Sequence, residues 1–295
     1  MKIYKLKTAL LLAFLVGGLF FISCEDSEVI DAPEISEALT EDETIAITEA
    51  DDVSDELDNL IDDYLFEDEL SSKDELALKD DGEKGTGRPD CAVKTVVMEG
   101  TTRTITFDFG EGCEFPNGHI VAGKIIISHE FDVDAMTMTI TQTYEGFTFN
   151  DVMVEGENII VRTYENENGN PESVKTMDIT MTWEDGETAS RVGTKTREWV
   201  EGYDTREWAD NVFEITGNWA TTFKNGVVVS ATITKELRRE MSCRFIVSGT
   251  IELTKNDVTG ILDFGDGTCD DIAIYTDADG VETEITLRKR NCKIE

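Results

Sequence analysis

The sequence has few of the residues and motifs that catalysis usually requires. Its 295 residues include two histidines, His119 and His129. If both lie on one unbroken strand, ten steps of about 3.3 Å separate them by about 33 Å, too far to share a metal ion. Gly-x-Ser-x-Gly, His-Glu-x-x-His, phosphate-loop and Cys-x-x-Cys motifs are absent. We therefore predict a protein that is not an enzyme and that has no zinc site.

Basic residues are also scarce. There are 26 Lys and Arg residues against 63 Asp and Glu, a formal net charge of −37 at pH 7. Such a surface repels phosphate backbones, so we expect no nucleic-acid partner.

The apolar run from Thr8 to Ile22 is about 15 residues long, shorter than the ~20 that a membrane-spanning helix needs. It follows the basic segment Met1 to Lys7, and this combination predicts a signal segment over residues 1–23. The run ends in Phe21-Ile22-Ser23-Cys24, which resembles the lipobox of bacterial lipoproteins. That resemblance implies lipidation of Cys24 and attachment to a membrane through the lipid. An ordinary secretory cleavage site is the alternative, although the bulky Phe21 fits it poorly.

The residues after this cysteine, Glu25-Asp26-Ser27-Glu28, resemble the acidic export tag of surface-exposed lipoproteins in the Bacteroidetes. The resemblance implies a lipid-anchored protein of the outer membrane that is exposed at the cell surface. The periplasmic leaflet is the alternative location.

Residues 24–90 have the composition of an acidic tether. From residue 25 they carry about 26 acids and about 4 bases, so self-repulsion favours an extended chain. Within the tether, the spacing of Leu57, Leu60, Ile61, Tyr64 and Leu65 is that of one helical face and predicts a short amphipathic helix near residues 54–70. An isolated helix of this length is marginal in water, so it either docks on the following domain or folds on a partner.

Residues 91–295 alternate between apolar and polar side chains. Met136, Met138 and Ile140 alternate with threonines, and turn signals recur between such runs. We predict an all-β domain of about 11 to 13 antiparallel strands in an up-and-down meander. To bury its apolar face, the sheet has to curl into a barrel, a half-barrel or a two-layer sandwich.

A short sequence occurs twice in this domain, as Asp108-Phe109-Gly110 and as Asp263-Phe264-Gly265. Protein kinases use the same three residues, but none of their other signatures is present. We interpret each copy as a strand end with an inward phenylalanine and a tight glycine turn. Each copy also has one cysteine upstream and one downstream, which predicts the disulfides Cys91–Cys113 and Cys243–Cys269. Cys292 is then left over, and a Cys243–Cys292 bridge is the alternative.

The acidic side chains of these turns offer a second interpretation, as hard-oxygen ligands for calcium. Solvated turn residues are the simpler explanation, so we expect no cofactor, with calcium as the alternative. The six candidates are Asp108, Glu111, Asp263, Asp266, Asp270 and Asp271.

The four tryptophans all lie between Trp183 and Trp219. Trp199 and Trp208 flank a predicted turn that contains Tyr203, and aromatic residues near a loop are typical of saccharide or peptide binding. We predict Trp199, Tyr203 and Trp208 as the ligand-binding residues. The alternative is that the tryptophans fill the core or cover a sheet edge.

Two basic clusters stand out against the acidic background. We expect them to form one end of the β domain and to receive the acidic helix. Their members are Lys235, Arg238, Arg239, Arg288, Lys289, Arg290 and Lys293.

Taken together, the lipobox, the acidic tether and the β domain with its repeated cysteine hairpins resemble an uncharacterised lipoprotein family of flavobacteria. The resemblance implies the anchor and the fold but assigns no activity. We predict a non-enzymatic binding or structural module at the cell envelope, with a surface glycan or a protein as its partner. A carrier that holds an apolar ligand inside a curled sheet is the alternative, and an envelope hydrolase is the third candidate.

Overall fold

Alternating apolar residues form strands from Val93 to Thr286. The computed structural model describes residues 39–40, 43–51, 53–55, 57–58, 61, 91–115, 118–132, 134–205 and 207–287, all within the compact unit Ser36–Glu295. The predicted signal segment, Cys24 and Cys292 lie outside the described residues. The strands are β1 (Val93–Glu99), β2 (Thr102–Asp108), β3 (Cys113–Glu114), β4 (Ile120–Asp132), β5 (Thr137–Phe149), β6 (Val152–Thr163), β7 (Glu172–Thr182), β8 (Thr188–Glu201), β9 (Val212–Phe223), β10 (Val228–Glu240), β11 (Ile246–Lys255), β12 (Val258–Asp266), β13 (Ile272–Thr276) and β14 (Glu282–Thr286).

These strands form one antiparallel sheet in sequence order from β1 to β14, with the short β3 paired beside β4. The predicted all-β, up-and-down meander is therefore confirmed. Within the described residues there are fourteen strands, more than the 11 to 13 predicted, because the two-residue β3 has no alternation to detect. The first and last strands do not pair with each other, so the sheet is curled but not closed.

The two repeated turns have the same structure, as the sequence predicts. The carboxylate of Asp108 accepts a hydrogen bond from the backbone N–H of Gly110 at 2.9 Å, and Asp263 does the same for Gly265 at 2.8 Å. Phe109 and Phe264 are both buried. The glycines have φ of 63° and 93°, a region that other residues rarely adopt.

Both predicted disulfides are confirmed, Cys91–Cys113 and Cys243–Cys269. The second bond rules out the alternative bridge between Cys243 and Cys292. Each disulfide closes one of the two related turns.

The helix of the acidic segment begins earlier than predicted. Helical residues are 43–51, 53–55, 57–58 and 61, here called helix α1. Its start is fixed by a reciprocal capping box, in which the Glu43 carboxylate accepts from the Thr40 N–H at 2.9 Å and the Thr40 hydroxyl accepts from the Glu43 N–H at 3.2 Å. The predicted start at residue 54 is therefore wrong by eleven positions. Residues 62–70 of the predicted helix lie outside the described residues.

Helix α1 lies on the concave side of the sheet and belongs to its core. Ala50, Leu57 and Ile61 pack with side chains of β2 to β8, and Leu39 and Ile47 pack with side chains of β7 and β9 to β14. No described residue of α1 is exposed. The sheet thus curls around a helix contributed by the segment that precedes it. Among the described residues, no helix has the length and apolar character needed to cross a membrane.

Candidate functional site

The buried side of the sheet carries several basic residues. Five bases of the sheet are at most 7% exposed, while the one buried acid among the described residues is Asp51 of α1. The concave face is therefore cationic although the protein as a whole is strongly acidic. The five are Lys175, Arg191, Lys195, Arg239 and Lys255.

Four of these bases form ion pairs with acids of α1. Lys255 contacts Glu43 at 2.8 Å, and Lys195 contacts Asp55 at 2.8 Å. Arg191 pairs with Asp51, and Lys175 pairs with Asp58. Asp51, Asp55 and Asp58 are four and three positions apart, the spacing that places side chains on one face of a helix. The acidic composition that favours an extended tether thus supplies the counter-ions for the inner face of the sheet.

The predicted docking of the acidic helix is observed, but on different bases. Arg238 pairs instead with Glu201, Glu214 and Glu240, and Lys235 is exposed. Arg239 donates to the backbone carbonyls of Cys243 and Phe245, at 2.6 and 3.0 Å. The other predicted bases, from Arg288 onward, lie outside the described residues.

Trp219 lies between two of the paired bases. The Arg191 guanidinium is 5.0 Å from the centre of its ring, and the Lys195 ammonium is 4.6 Å away. The facing residue on β8 is Gly193, where a Cβ would lie 2.4 Å from the Trp219 Cα. A glycine is required here because a side chain would displace the indole from the two cations.

Burial and charge act in opposite directions on the pKa values of this cluster. Burial alone would raise the pKa of Asp55, but the attraction of Lys195, together with that of Lys175 and Arg191, outweighs it and holds the pKa below its ordinary value. Burial also opposes the ionisation of Glu43, and its bond to Lys255 again gives a lowered pKa. Burial lowers the pKa of Lys175, against the attraction of Asp58. The Glu43 and Asp55 carboxylates are therefore ionised at neutral pH.

We predict that the folded protein loses stability in acid because of these pairs. A carboxylate whose pKa is lowered by folding stabilises the folded protein at pH values above its unfolded-state pKa of about 4. This stabilisation is lost as the pH falls through the pKa that the carboxylate has in the folded protein. The Asp55→Asn variant should lose about 1.5–3 kcal/mol at pH 7 and should show a smaller decrease between pH 5 and pH 2. Urea unfolding at a series of pH values measures both effects.

The matched control is Glu187→Gln, because the Glu187 carboxylate is 66% exposed and 3.9 Å from Lys224. It should change the free energy of unfolding by less than about 0.5 kcal/mol at any pH. An Asp55→Asn variant with the pH dependence of the unmodified protein would contradict the role of the Asp55 pair.

A partly open cavity lies beside this cluster, between α1 and strands β5 to β11. The volume in which the centre of a water molecule can lie is about 40 Å³, which gives room for about three waters. Among the described residues, four bases and two acids line it, together with the apolar side chains of Ile160, Ile215 and Ile246. The charged residues are Lys175, Lys195, Arg197, Arg239, Asp55 and Asp58.

The structure brings the three predicted aromatic residues together around Phe213. The rings of Trp199 and Trp208 lie 5.4 and 6.4 Å from the Phe213 ring, and Tyr203 meets Trp199 edge-on at 6.4 Å. Tyr203 is 46% exposed, while the two tryptophans are partly buried. The cluster is thus accessible at its edge and anchored at its centre, an arrangement that fits both a ligand platform and the covering of a sheet end.

This aromatic cluster adjoins the cavity through Arg197. The Arg197 guanidinium lies 3.7 Å from the centre of the Phe213 ring, and Arg197 also lines the cavity. Arg197 and Trp199 are two positions apart on β8 and therefore point to the same face. The sequence predicted the aromatic residues and included Arg239 in a basic cluster, but it missed the buried bases Lys175, Arg191 and Lys195. The available signal was the alternation of Arg191, Lys195 and Arg197 on one strand face.

The histidines and the candidate calcium ligands are placed separately from this site. His129 lies within β4 and His119 directly precedes it, where it contacts the Asn150 side chain at 2.9 Å. The carboxylate of Asp266 accepts from the backbone and the hydroxyl of Thr268, at 3.2 and 2.8 Å. These contacts fit turn residues, and the expected absence of a cofactor stays a prediction, with calcium as its alternative.

Comparisons with models of protein families, with curated proteins and with solved structures give no match for this chain.

Proposed function

We propose that this chain is a lipid-anchored protein of the cell envelope, acylated on Cys24 and exposed on the outer membrane. In this proposal its β domain is a non-enzymatic module that binds a surface glycan or a protein. The lipobox and the acidic residues after it support the anchor. The two disulfides support an oxidising compartment, where such bonds persist.

The observation that carries the binding function is the convergence of Trp199, Tyr203 and Trp208 beside a charged cavity. Aromatic rings with a few convergent polar groups are the usual composition of a ligand site. Because Phe213 is 5% exposed and contacts both tryptophans, the cluster has a rigid base. A preformed platform loses little conformational entropy on binding.

The interior of the sheet supports a binding module over a carrier of an apolar ligand. The concave side that such a ligand would occupy is filled by Ile47, Leu57 and Ile61 of helix α1. In the described part of the chain, six charged side chains line the cavity beside the helix, and they would have to lose their hydration against an apolar ligand.

A native mass spectrum of the protein purified from the bacterial envelope tests this proposal. The expected mass is that of the chain from Cys24 with a covalent lipid and two disulfides, with no carried lipid. The Cys24→Ser variant should lack the covalent lipid. A non-covalent lipid mass would instead support the carrier, and a mass removed by chelator would indicate calcium. A Cys24 without lipid would contradict the anchor.

A further inference from the structure

The exposed aromatic side chains of the described part of the chain all lie at one end of the sheet. Phe131 is the last residue but one of β4, Tyr164 directly follows β6, and Tyr203 lies in the turn after β8. Their exposed fractions are 41%, 43% and 46%. Because neighbouring strands are antiparallel, β4, β6 and β8 run in one direction and end at the same end of the sheet. We call this the aromatic end.

The rings of the aromatic end form two pairs of similar geometry. Phe131 and Tyr164 meet edge-on, with ring centres 5.9 Å apart and ring planes at 81°. Trp199 and Tyr203 also meet edge-on, at 6.4 Å and 78°. Each pair thus forms a corner between two nearly perpendicular rings, a preferred arrangement of aromatic side chains.

The two pairs lie on the same side of the sheet and close to each other. Phe131 and Trp199 are each four positions from a buried residue of the same strand, Ile127 and Lys195, so both point to the concave side. The residue before Tyr164 and the residue before Trp199 lie in one row across β6, β7 and β8. The pairs are therefore two strand spacings apart, about 10 Å.

An amide-rich turn from β6 to β7 lies between the two pairs. The side-chain oxygen of Asn166 accepts from the backbone N–H groups of Asn168 and Asn170, at 2.9 and 3.0 Å. The Glu198 carboxylate of β8 accepts from the side-chain amides of Asn168 and Asn170, at 3.0 and 2.7 Å. These bonds hold the turn in place, and its amide and carboxylate groups are of the types that bond to hydroxyl groups.

We propose that the aromatic end binds an extended, neutral glycan chain. Its sugar rings stack on the two ring pairs, and its hydroxyls bond to the turn between them. This inference rests on the proposed binding function and names its ligand class, and it adds Phe131 and Tyr164 to the binding residues. A single sugar unit cannot reach both pairs across about 10 Å, whereas a chain of several units can, so the two pairs act as a bivalent site.

Charge and the separation of the rings favour a neutral glycan over other polymers. The net charge of −37 repels polyanions, including acidic glycans, at long range. A protein interface usually has a contiguous, desolvated apolar centre, whereas polar side chains separate the two ring pairs here. A neutral sugar chain fits because it alternates apolar ring faces with hydroxyl groups.

Matched oligosaccharides test this proposal. We would titrate the full mature chain with cellohexaose, with cellobiose and with the uronate counterpart of cellohexaose, and follow tryptophan fluorescence and heat of binding. Cellobiose has the same units and linkage as cellohexaose but is shorter, and the uronate chain has the same length but carries a carboxylate on each unit. We expect cellohexaose to bind at least about tenfold more tightly than either.

Three variants assign the binding to residues. Phe131→Ala should weaken cellohexaose binding about tenfold and change cellobiose binding less than about twofold, because the other pair remains. Phe131→Tyr keeps a ring and should retain cellohexaose binding within about twofold. The control Val228→Ala shortens an exposed apolar side chain at the start of β10, at the opposite end of the sheet, and should change neither. All three should unfold at the urea concentration of the unmodified protein.

The outcomes separate this inference from the function on which it rests. Equal binding of cellohexaose and cellobiose, lost in Tyr203→Ala and kept in Phe131→Ala, would overturn the extended site and leave a binding module with one ring pair. Tighter binding of the uronate chain would overturn the neutral ligand class. No binding of cellohexaose at about 5 mM would overturn the glycan. An envelope protein retained by the immobilised chain but not by Phe131→Ala would then identify a protein as the partner.

Discussion

A chain that begins at residue 85, after helix α1, is expected not to fold. Such a chain keeps every strand but loses the helix on which both halves of the core pack. Burial of Ile47, Leu57 and Ile61 stabilises the fold by roughly 5–9 kcal/mol, comparable to the 5–15 kcal/mol of a whole domain. Lys175, Arg191, Lys195 and Lys255 would also lose their acidic partners, and an unpaired buried charge costs several kcal/mol.

Circular dichroism and urea unfolding would measure this loss. We expect no cooperative unfolding transition in the shortened chain, and partial recovery when a peptide of residues 36–66 is added. A chain that begins at residue 36 keeps α1 and should unfold like the full mature protein. If the chain from residue 85 unfolded cooperatively at the same urea concentration as the control, the packing of α1 would not stabilise the fold, and this prediction would be wrong.

Replacement of Arg191 by methionine is expected to destabilise the protein by about 3–5 kcal/mol. Arg191 is 0% exposed, pairs with Asp51 and donates to the Ala50 carbonyl at 3.1 Å. Without the guanidinium, the Asp51 carboxylate would be a buried charge without a partner. The large effect therefore comes from the acid that remains and not from the lost side chain.

The double variant Arg191→Met, Asp51→Leu distinguishes these two sources. Within the described residues, Asp51 Oδ2 and Arg191 Nε have no hydrogen-bond partner, so the pair is incompletely satisfied. An apolar pair of similar size should then recover most of the lost stability. The control Lys224→Met removes a base that is 54% exposed and should change the free energy of unfolding by less than about 0.5 kcal/mol. A double variant no more stable than Arg191→Met would contradict this explanation.

Sequence patterns predict those parts of the site whose residues are close together in the chain. The sequence predicts Trp199, Tyr203 and Trp208 as a group because they lie within ten positions of one another, in one turn and on its two sides. The cavity beside them combines residues from α1 and from β5 to β11, whose positions differ by up to 191. No spacing rule joins residues so distant in the chain.

Strand β8 shows where the alternation rule assigns the wrong face. An apolar valine is expected inside and a charged arginine outside, yet Val192 is 56% exposed and its neighbour Arg191 is fully buried. The reversal is stable because α1 brings Asp51 to the guanidinium and because Gly193 makes room for Trp219 between the two cations. The face of this strand is set by its partner and not by its own composition.

The sequence by itself determined the strand pattern, the meander and the turns with Asp108 and Asp263, and it favoured both disulfides while leaving Cys292 as an alternative partner of Cys243. Each of these follows from interactions between residues that are close in the chain or related by a visible repeat. Only the tertiary structure decided that the acidic segment would supply the core helix, and that Lys175, Arg191, Lys195 and Lys255 would face inward to meet it. The physical reason is that burying a charge is unfavourable until its counter-ion is buried with it, and the two partners come from segments more than a hundred residues apart.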